Sequence, residues 1–494
     1  MKVLLTTLNA KYIHSSLALR YLQKYCQQYN YDIRVKEFSI NENIEDITGI
    51  MYKTGSDIFA FSCYIWNINK ILEIADRLKK VKPECNIILG GPEVSYDSKK
   101  LLKKYQFIDY IIKGEGEKPL QMLLENLINT KGELTTIPGL VFKDNQGIII
   151  ENDFQIQTNL GKLPFPYKTS DLDKLSHKIV YYETSRGCPF NCSYCLSSTT
   201  ANIRYFPLER VKEELLFFID NEVELVKLVD RTFNANPERA RKIFEFIVEN
   251  QKQTCFHFEI AADLFDDDLI KYLQKIPEGW FRFEIGVQST NSKTINTIDR
   301  KMDWDQLAHN VKKLREKDNI NLHLDLIAGL PQEDYNSFKK SFNDVYQLAP
   351  HEIQLGFLKL LKGSKIRNEA DDFNYKYTEI PPYEVLENNS LSYREILKFK
   401  GVEFIVKKYY NSGVFTKSLY YILNNIYHSP YQLFEDMYQY FEENNLHRKS
   451  HSRKTLYDIF YNFYENRIKQ SLGIFSEYLK FDLLLNNYGV KLQD

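Results

Sequence analysis

Three thiols crowd one short stretch of this 494-residue chain. In ETSRGCPFNCSYCLSS, Cys188, Cys192 and Cys195 are separated by three and then two residues. Thiolates on a single loop grip three irons of a [4Fe–4S] cubane and leave the fourth iron without a protein ligand. An open coordination position is what substrate chemistry at a metal requires. A structural zinc site instead offers four protein ligands, commonly as two CxxC-like pairs, and no second pair exists here. Cys26, Cys63, Cys85 and Cys255 are scattered. An odd count with one tight cluster argues for ligand chemistry in a reducing compartment and against a secreted disulfide framework.

Bulk composition adds exclusions rather than assignments. Lys plus Arg number 65 and Asp plus Glu 66, so no global charge announces nucleic acid or membrane. The start, MKVLLTTLNAKYIH, lacks a signal-peptide pattern, and no apolar stretch approaches the ~18 residues of a membrane span. A cytoplasmic protein without membrane partners is expected.

The elements that must position the thiols follow from hydrophobic period. Residues 1–128 alternate short apolar runs, VLLTTL, IFAFSCY, NIILGG and YIIKGEGE, with helical patterns such as INKILEIADRLKKV. That alternation predicts a doubly wound, Rossmann-like parallel sheet, with ligands outside the carboxyl ends of its strands. Residues 129–178 read as a linker with a hairpin turning at Asp144–Gly147 and the connector LPFPY. From 179 to 372 six further strands alternate with helices and predict a partial (β/α)6 barrel, its chemistry at the C-terminal strand ends. Residues 373–494, rich in Tyr, Phe, Asn and Lys, predict a mostly helical C-terminal domain.

CPFNCSYC resembles the defining motif of the radical S-adenosylmethionine (SAM) superfamily. That resemblance implies that Cys188, Cys192 and Cys195 hold the cluster and that SAM chelates the open iron. Reductive cleavage in that superfamily gives a 5′-deoxyadenosyl radical. It places Tyr194 near adenine and makes Asp230 in VDRTF, Glu259 in FEIAAD and Glu284 and Gln288 in FEIGVQS candidates around the cofactor. Gly329, in LDLIAGLPQED, belongs to the stretch expected to pack on adenine. Many relatives carry a basic residue where this chain has Ala261 or Ala262, which leaves the partner of the cofactor's carboxylate open.

A doubly wound sheet ahead of such a barrel resembles the cobalamin-binding radical SAM architecture. The supporting stretches are SCYIWN, GGPEVS and GEGEKP, each after an expected strand. They nominate Thr7, Ser62, Tyr64, Trp66, Asn67, Gly90, Gly91, Glu93, Gly114, Glu115 and Gly116 for cobalamin, with Tyr64, Trp66 and Asn67 covering its lower face. His14 is open as a cobalt ligand or as a helix-start or phosphate-contacting residue, because its frame lacks the Asp and Gly of a DxHxxG loop. Cobalamin and SAM together imply methyl transfer to an unactivated carbon. Rearrangement or oxidation, with cobalamin only carrying electrons, is the alternative. A flavodoxin or ferredoxin is the expected reductant.

The tail resembles the uncharacterised C-terminal domain of one subgroup and lends no chemistry. Its Lys407, Lys408, Arg448, Lys449, Arg453 and Lys454 are of a type that meets phosphates, and Tyr409 or Tyr410 of a type that stacks on bases. The favoured reading is an amphipathic bundle whose aromatics are core and whose lysines are solvated. A tRNA nucleoside is the first substrate expectation, with a peptide or small molecule as alternatives.

Overall fold

The computed structural model describes every residue except 30, 200–201 and 487–494. Its first sheet has seven strands: β1 (Lys2–Asn9), β2 (Asp32–Ser39), β3 (Ile58–Ser62), β4 (Asn86–Gly90), β5 (Tyr110–Ile112), β6 (Leu140–Lys143) and β7 (Ile149–Glu151). They run in the order β2-β1-β3-β4-β5-β6-β7. The first five are parallel and β6 and β7 antiparallel. The apolar run Ile58–Phe61 and Ser62 after it make β3 buried throughout, as a central parallel strand covered on both faces must be. One covering helix, Ile68–Val81, buries Ile68, Ile71, Ile74, Ala75 and Leu78, the stripe its period dictates.

Two expectations change here. The sequence reading has no β2, because DIRVKEFS is rich in charge; at the sheet edge Asp32, Arg34 and Lys36 are exposed, while Ile33 and Phe38 bury into the cores on opposite faces of the sheet. The hairpin at Asp144–Gly147 forms, but it is no part of a linker. Its first strand, β6, pairs onto β5, and β7 pairs onto β6, which widens the first sheet.

The second sheet is parallel: β8 (Val180–Tyr182), β9 (Leu225–Leu228), β10 (Cys255–Ile260), β11 (Phe281–Gln288), β12 (Asn321–Ala328) and β13 (Glu352–Phe357). Its order, β13-β12-β11-β10-β9-β8, follows the chain, and the outer strands β8 and β13 are not paired to each other. The partial barrel is therefore open. Its core is continuous with the C-terminal helices and also takes in Tyr21 from the first domain, stacked on Phe206.

Among the described residues the tail forms five α-helices, Tyr393–Tyr409, Thr416–Asn425, Pro430–Glu443, Arg453–Phe463 and Leu472–Asn486, after a short antiparallel pair, Lys376–Tyr377 with Val385–Glu387. Tyr409 is fully buried against Phe415 and Phe460, and Tyr410 donates its hydroxyl to the Pro350 carbonyl. The Tyr409 ring offers no stacking face, and the half-buried Tyr410 ring lies against Tyr346. Lys407, Arg448, Lys449, Arg453 and Lys454 are solvated, while Lys408 lies over the Phe404 ring. No described helix is long and apolar enough to cross a membrane.

Candidate active site

A cavity of about 1060 Å3 opens where the two domains meet. One wall is built from residues at or just past the carboxyl ends of β1, β3, β4 and β5: Asn9, Ser62, Tyr64, Trp66, Gly90, Gly91, Gly114, Glu115 and Gly116. That is where an open α/β sheet binds ligands, around the point at which strand order reverses. The opposite wall includes Tyr181, Val229, Arg231, Leu196 and Ser197, the last two directly after Cys195.

The first wall is flat and bare. The rings of Tyr64 and Trp66 stack with centroids 4.5 Å apart and planes 4° from parallel, and the Trp66 indole donates to the Leu8 carbonyl at 3.1 Å. Gly91 has φ +101°, and a Cβ there would lie 2.6 Å from the Cys63 carbonyl oxygen. Only glycine fits, so its requirement comes from β3 crowding it and the bare backbone is the consequence. A broad, largely apolar cavity with a flat aromatic floor fits a planar macrocycle such as a corrin. His14 lines the same cavity, its Nδ1 2.7 Å from the Tyr181 hydroxyl.

Three nominated residues stand behind this wall instead. Asn67 is fully buried; its amide donates to Thr7 Oγ1, Leu8 O and Ser62 O, while Oδ1 accepts from Tyr64 N. Thr7 donates to Ser62 O. Both bracket the ends of β1 and β3 rather than face a ligand. Glu93 is 5% exposed and is consumed by the Tyr383 hydroxyl and by Lys362 Nζ at 3.0 Å. Glu115 lines the cavity, yet its carboxylate accepts from Arg204 at 2.6 Å and from Gln157 N at 2.7 Å, which holds it below the usual range despite burial. Arg186 completes this seam on Glu117 at 2.6 Å and Glu183 at 2.8 Å.

The cysteine loop follows β8 and is pinned from both sides: Ser193 N donates to Ile298 O, and Ile366 N to Ser193 O. Cys192 is buried, and Cys188 and Cys195 are partly exposed. Arg300 Nη1 lies 3.8 Å from Cys192 Sγ and 3.3 Å from the Tyr194 hydroxyl. Tyr194 packs on the apolar cluster that includes Ile298, Leu330 and Ile366. Among the described residues no three Cys, His, Asp or Glu side chains gather as ligands of one ion. Cubane ligands each take a separate iron, so three spaced soft thiols fit that group.

Inside the barrel Glu284 takes Lys227 Nζ at 2.6 Å and the His257 Nε2–H at 3.0 Å. Burial pushes Glu284 up, but that hydrogen bond and the ammonium outweigh it and keep the carboxylate ionised. Burial lowers the His257 imidazole, against the opposing pull of Glu284. Burial also raises Glu259, against the pull of Arg231. Gln288 ends β11 with φ +70°, after a register shift at Gly286. Asp230 and the Gly329 carbonyl are both engaged by protein groups. Asp230 is 1% exposed and accepts from Thr184 N, Thr184 Oγ1 and Ser185 Oγ, facing away from the cavity between Val229 and Arg231, which line it. The Gly329 carbonyl is taken by Tyr375 and Asn388.

Sequence reasoning missed Asp325, Tyr181 and Arg300. Asp325 lies beside Glu284; burial, then Glu284 and Glu259, push its carboxyl well above the usual range, and its shielded Oδ1 has no partner. The alternation of His323 and Asp325 with leucines in NLHLDLIAG was the available signal, because inward positions of a barrel strand recur every second residue. Arg300 carries no such pattern.

Comparison with known proteins matches this geometry. The B12 binding domain matches residues 3–124 and the Radical SAM superfamily residues 182–345. The solved structure of OxsB with aqua-cobalamin bound superposes with TM-score 0.69 at 13% identity, covering 98% of this chain and 81% of that one. The structure of TsrM from Kitasatospora setae with cobalamin and [4Fe–4S] cluster bound superposes with TM-score 0.63 at 14% identity, over 78% and 82%. The cobalamin-dependent radical SAM methyltransferase TokK of Streptomyces tokunonensis is 26% identical over 325 residues, 61% of this chain and 47% of its own length. The chain spans about half the length of TokK and of the 2-(S-pantetheinyl)-carbapenam-3-carboxylate methyltransferase, which it also matches. This protein thus joins a B12 binding domain and a Radical SAM superfamily domain in one chain, as its cobalamin-dependent radical SAM relatives do. After them, at residues 371–494, it carries the domain described as Protein of unknown function (DUF4080).

Proposed function

We propose that this protein is a cobalamin-dependent radical SAM methyltransferase that methylates a carbon of a small polar molecule. The observation that carries the reading is the continuous cavity reaching from the strand ends of the first sheet to the residues directly after Cys195. One space then serves both cofactor sites and the acceptor between them. When bound, the cluster, SAM and cobalamin supply radical hydrogen abstraction and a transferable methyl group, chemistry no side chain provides. Cys188, Cys192 and Cys195 hold the cluster. Tyr64 and Trp66 give the corrin a flat apolar face, and the glycines of the strand ends leave room for its nucleotide tail. Lys227, Glu284 and His257 orient one another and set a polar floor to the barrel.

A small substrate is favoured over tRNA because Tyr409, one ring that would stack on bases, is packed inside the bundle, and Tyr410 is held against Tyr346 and the Pro350 carbonyl. The similarity to the 2-(S-pantetheinyl)-carbapenam-3-carboxylate methyltransferase supports the same direction. Electrons come from a flavodoxin or ferredoxin.

The test is anaerobic reconstitution with iron, sulfide and hydroxocobalamin. Turnover then uses methyl-deuterated SAM, dithionite and a small-molecule cell extract. Deuterated methyl in an extract component, with 5′-deoxyadenosine and S-adenosylhomocysteine formed together, is expected. Formation of 5′-deoxyadenosine with no label transferred assigns the protein to rearrangement or oxidation. Labelled tRNA, from a parallel incubation, overturns the choice of substrate.

A further inference from the structure

Six Lys, Arg or Glu side chains line the cavity between the two domains. Lys113 is taken by Glu151 and Glu115 by Arg204, while Arg186 joins Glu117 and Glu183 at 2.6 and 2.8 Å. Arg231 is the exception: its exposed guanidinium makes no ion pair or hydrogen bond among the described residues. Glu259 feels its charge only from beyond ion-pair distance.

The backbone around this free side chain is clamped. Arg231 lies just past the carboxyl end of β9, directly after Asp230, which accepts from Thr184 and Ser185. The fully buried Asn234 exchanges two hydrogen bonds with Ala261, at 2.7 and 2.9 Å. Between them, Thr232 Oγ1 lies 3.7 Å from Cys188 Sγ. Burial raises both the Tyr64 phenol and the Glu259 carboxyl, and in each the Arg231 cation opposes the rise. Arg231 thus projects from a rigid turn that touches the cysteine loop, with Tyr64 of the facing wall within reach of its charge.

We propose that Arg231 is the anchor for the acceptor and that the methylated molecule is an anion, held through a carboxylate or phosphate group. The inference deepens the methyl-transfer reading and rests on its placement of the acceptor between the two cofactor sites. An exposed arginine needs no partner while water fills the cavity. Once a corrin and an acceptor displace that water, the cation requires an anion in its place. SAM is the poorer match, because its sulfonium is a cation and its carboxylate is shared with the open iron. The planar guanidinium fork suits the paired oxygens of a carboxylate or phosphate.

The experiment uses the full chain, reconstituted without air with iron, sulfide and hydroxocobalamin, then given methyl-deuterated SAM and dithionite. A small-molecule cell extract is split on an anion exchanger into retained and unretained fractions. The retained fraction is expected to stimulate 5′-deoxyadenosine formation and to take up the methyl label. Arg231→Gln should need about tenfold more of that fraction for half-maximal rate. Arg231→Lys should recover much of the loss, and both variants should retain SAM and cobalamin on equilibrium dialysis as wild type does. Alkaline phosphatase separates a phosphate monoester, which it destroys, from a carboxylate, which it spares; either upholds the anchor. Stimulation confined to the unretained fraction, an unchanged concentration dependence in Arg231→Gln, or loss of SAM or cobalamin from that variant overturns it. Stimulation by the retained fraction without label transfer fails the methyl-transfer reading and leaves the anchor standing. Where neither fraction stimulates, phenylglyoxal modification is read by peptide mass spectrometry, with inorganic phosphate as the probe. Protection of Arg231 at a concentration that leaves the exposed Arg448 unprotected supports the anchor, and equal protection of both overturns it.

Discussion

Glu333 offers a sharp test of the barrel's interior electrostatics. It is fully buried just past β12, where Oε1 accepts from Ser289 at 2.5 Å and Ser341 at 3.0 Å while Oε2 has no partner. Burial raises its pKa from 4.5 to about 7, the two serines opposing. The unfolded chain therefore gives up this proton first. Between those values the folded chain binds more protons, so stability falls as pH rises. The contribution is intact below pH 4.5 and lost once pH passes 7. At 1.36 kcal/mol per pH unit the folded chain loses roughly 3 kcal/mol across that window. Glu333→Gln keeps an acceptor for both serines and cannot ionise. Its stability should equal wild type near pH 4.5 and exceed it by ~3 kcal/mol near pH 8. Guanidinium unfolding in a Trp66→Phe background reports the barrel alone, because the two remaining tryptophans, Trp280 and Trp304, pack against its core. Stability curves of wild type and Glu333→Gln that run parallel from about pH 4.5 to about pH 8 would refute the reasoning.

Other perturbations probe the seam and the two cofactor walls. Replacing all three loop cysteines by alanine should abolish iron incorporation, read by iron and sulfide assays after anaerobic reconstitution. Gly91→Ala should cost on the order of 2 kcal/mol, since φ is positive and the new Cβ meets the Cys63 carbonyl; reduced cobalamin retention on gel filtration should accompany the loss. Arg186→Met leaves Glu117 and Glu183 buried without their cation and should cost about 3–5 kcal/mol, with part recovered in Arg186→Met/Glu117→Gln. Asp230→Ala should lower the thermal midpoint by removing three hydrogen bonds at the end of β8. The 5′-deoxyadenosine formed per cluster should stay unchanged, because Asp230 faces away from the cavity.

What was legible in the sequence is what chemistry fixes locally. The ligand spacing of Cys188, Cys192 and Cys195 is a property of eight consecutive residues, and the apolar runs of β1, β3, β4 and β5 declare buried strands wherever they lie. The directions of polar residues at strand ends are different. Asp230 and Arg231 are neighbours, yet one turns into a bracket for β8 and the other into the cavity, a choice made by which strand lies alongside. Glu93 and Glu115 read as ligand-facing from their glycine-rich surroundings, but their partners, Lys362 and Arg204, come from distant segments that no local pattern links. Arg300 reaches Cys192 because Asp299 is left-handed, and no residue type announced that turn.

The grip of Tyr383 and Lys362 on Glu93 has a further consequence. Tyr375 and Asn388, inside the segment matched to the domain of unknown function, also hold the Gly329 carbonyl at the end of β12. Residues 371–391 are thus stitched to both preceding folds before the first tail helix begins. A cut placed at residue 371, where the sequence families change, would unpick the corrin-binding wall and the barrel rim together. Shuffling tails between relatives would succeed only with a junction placed after Leu391.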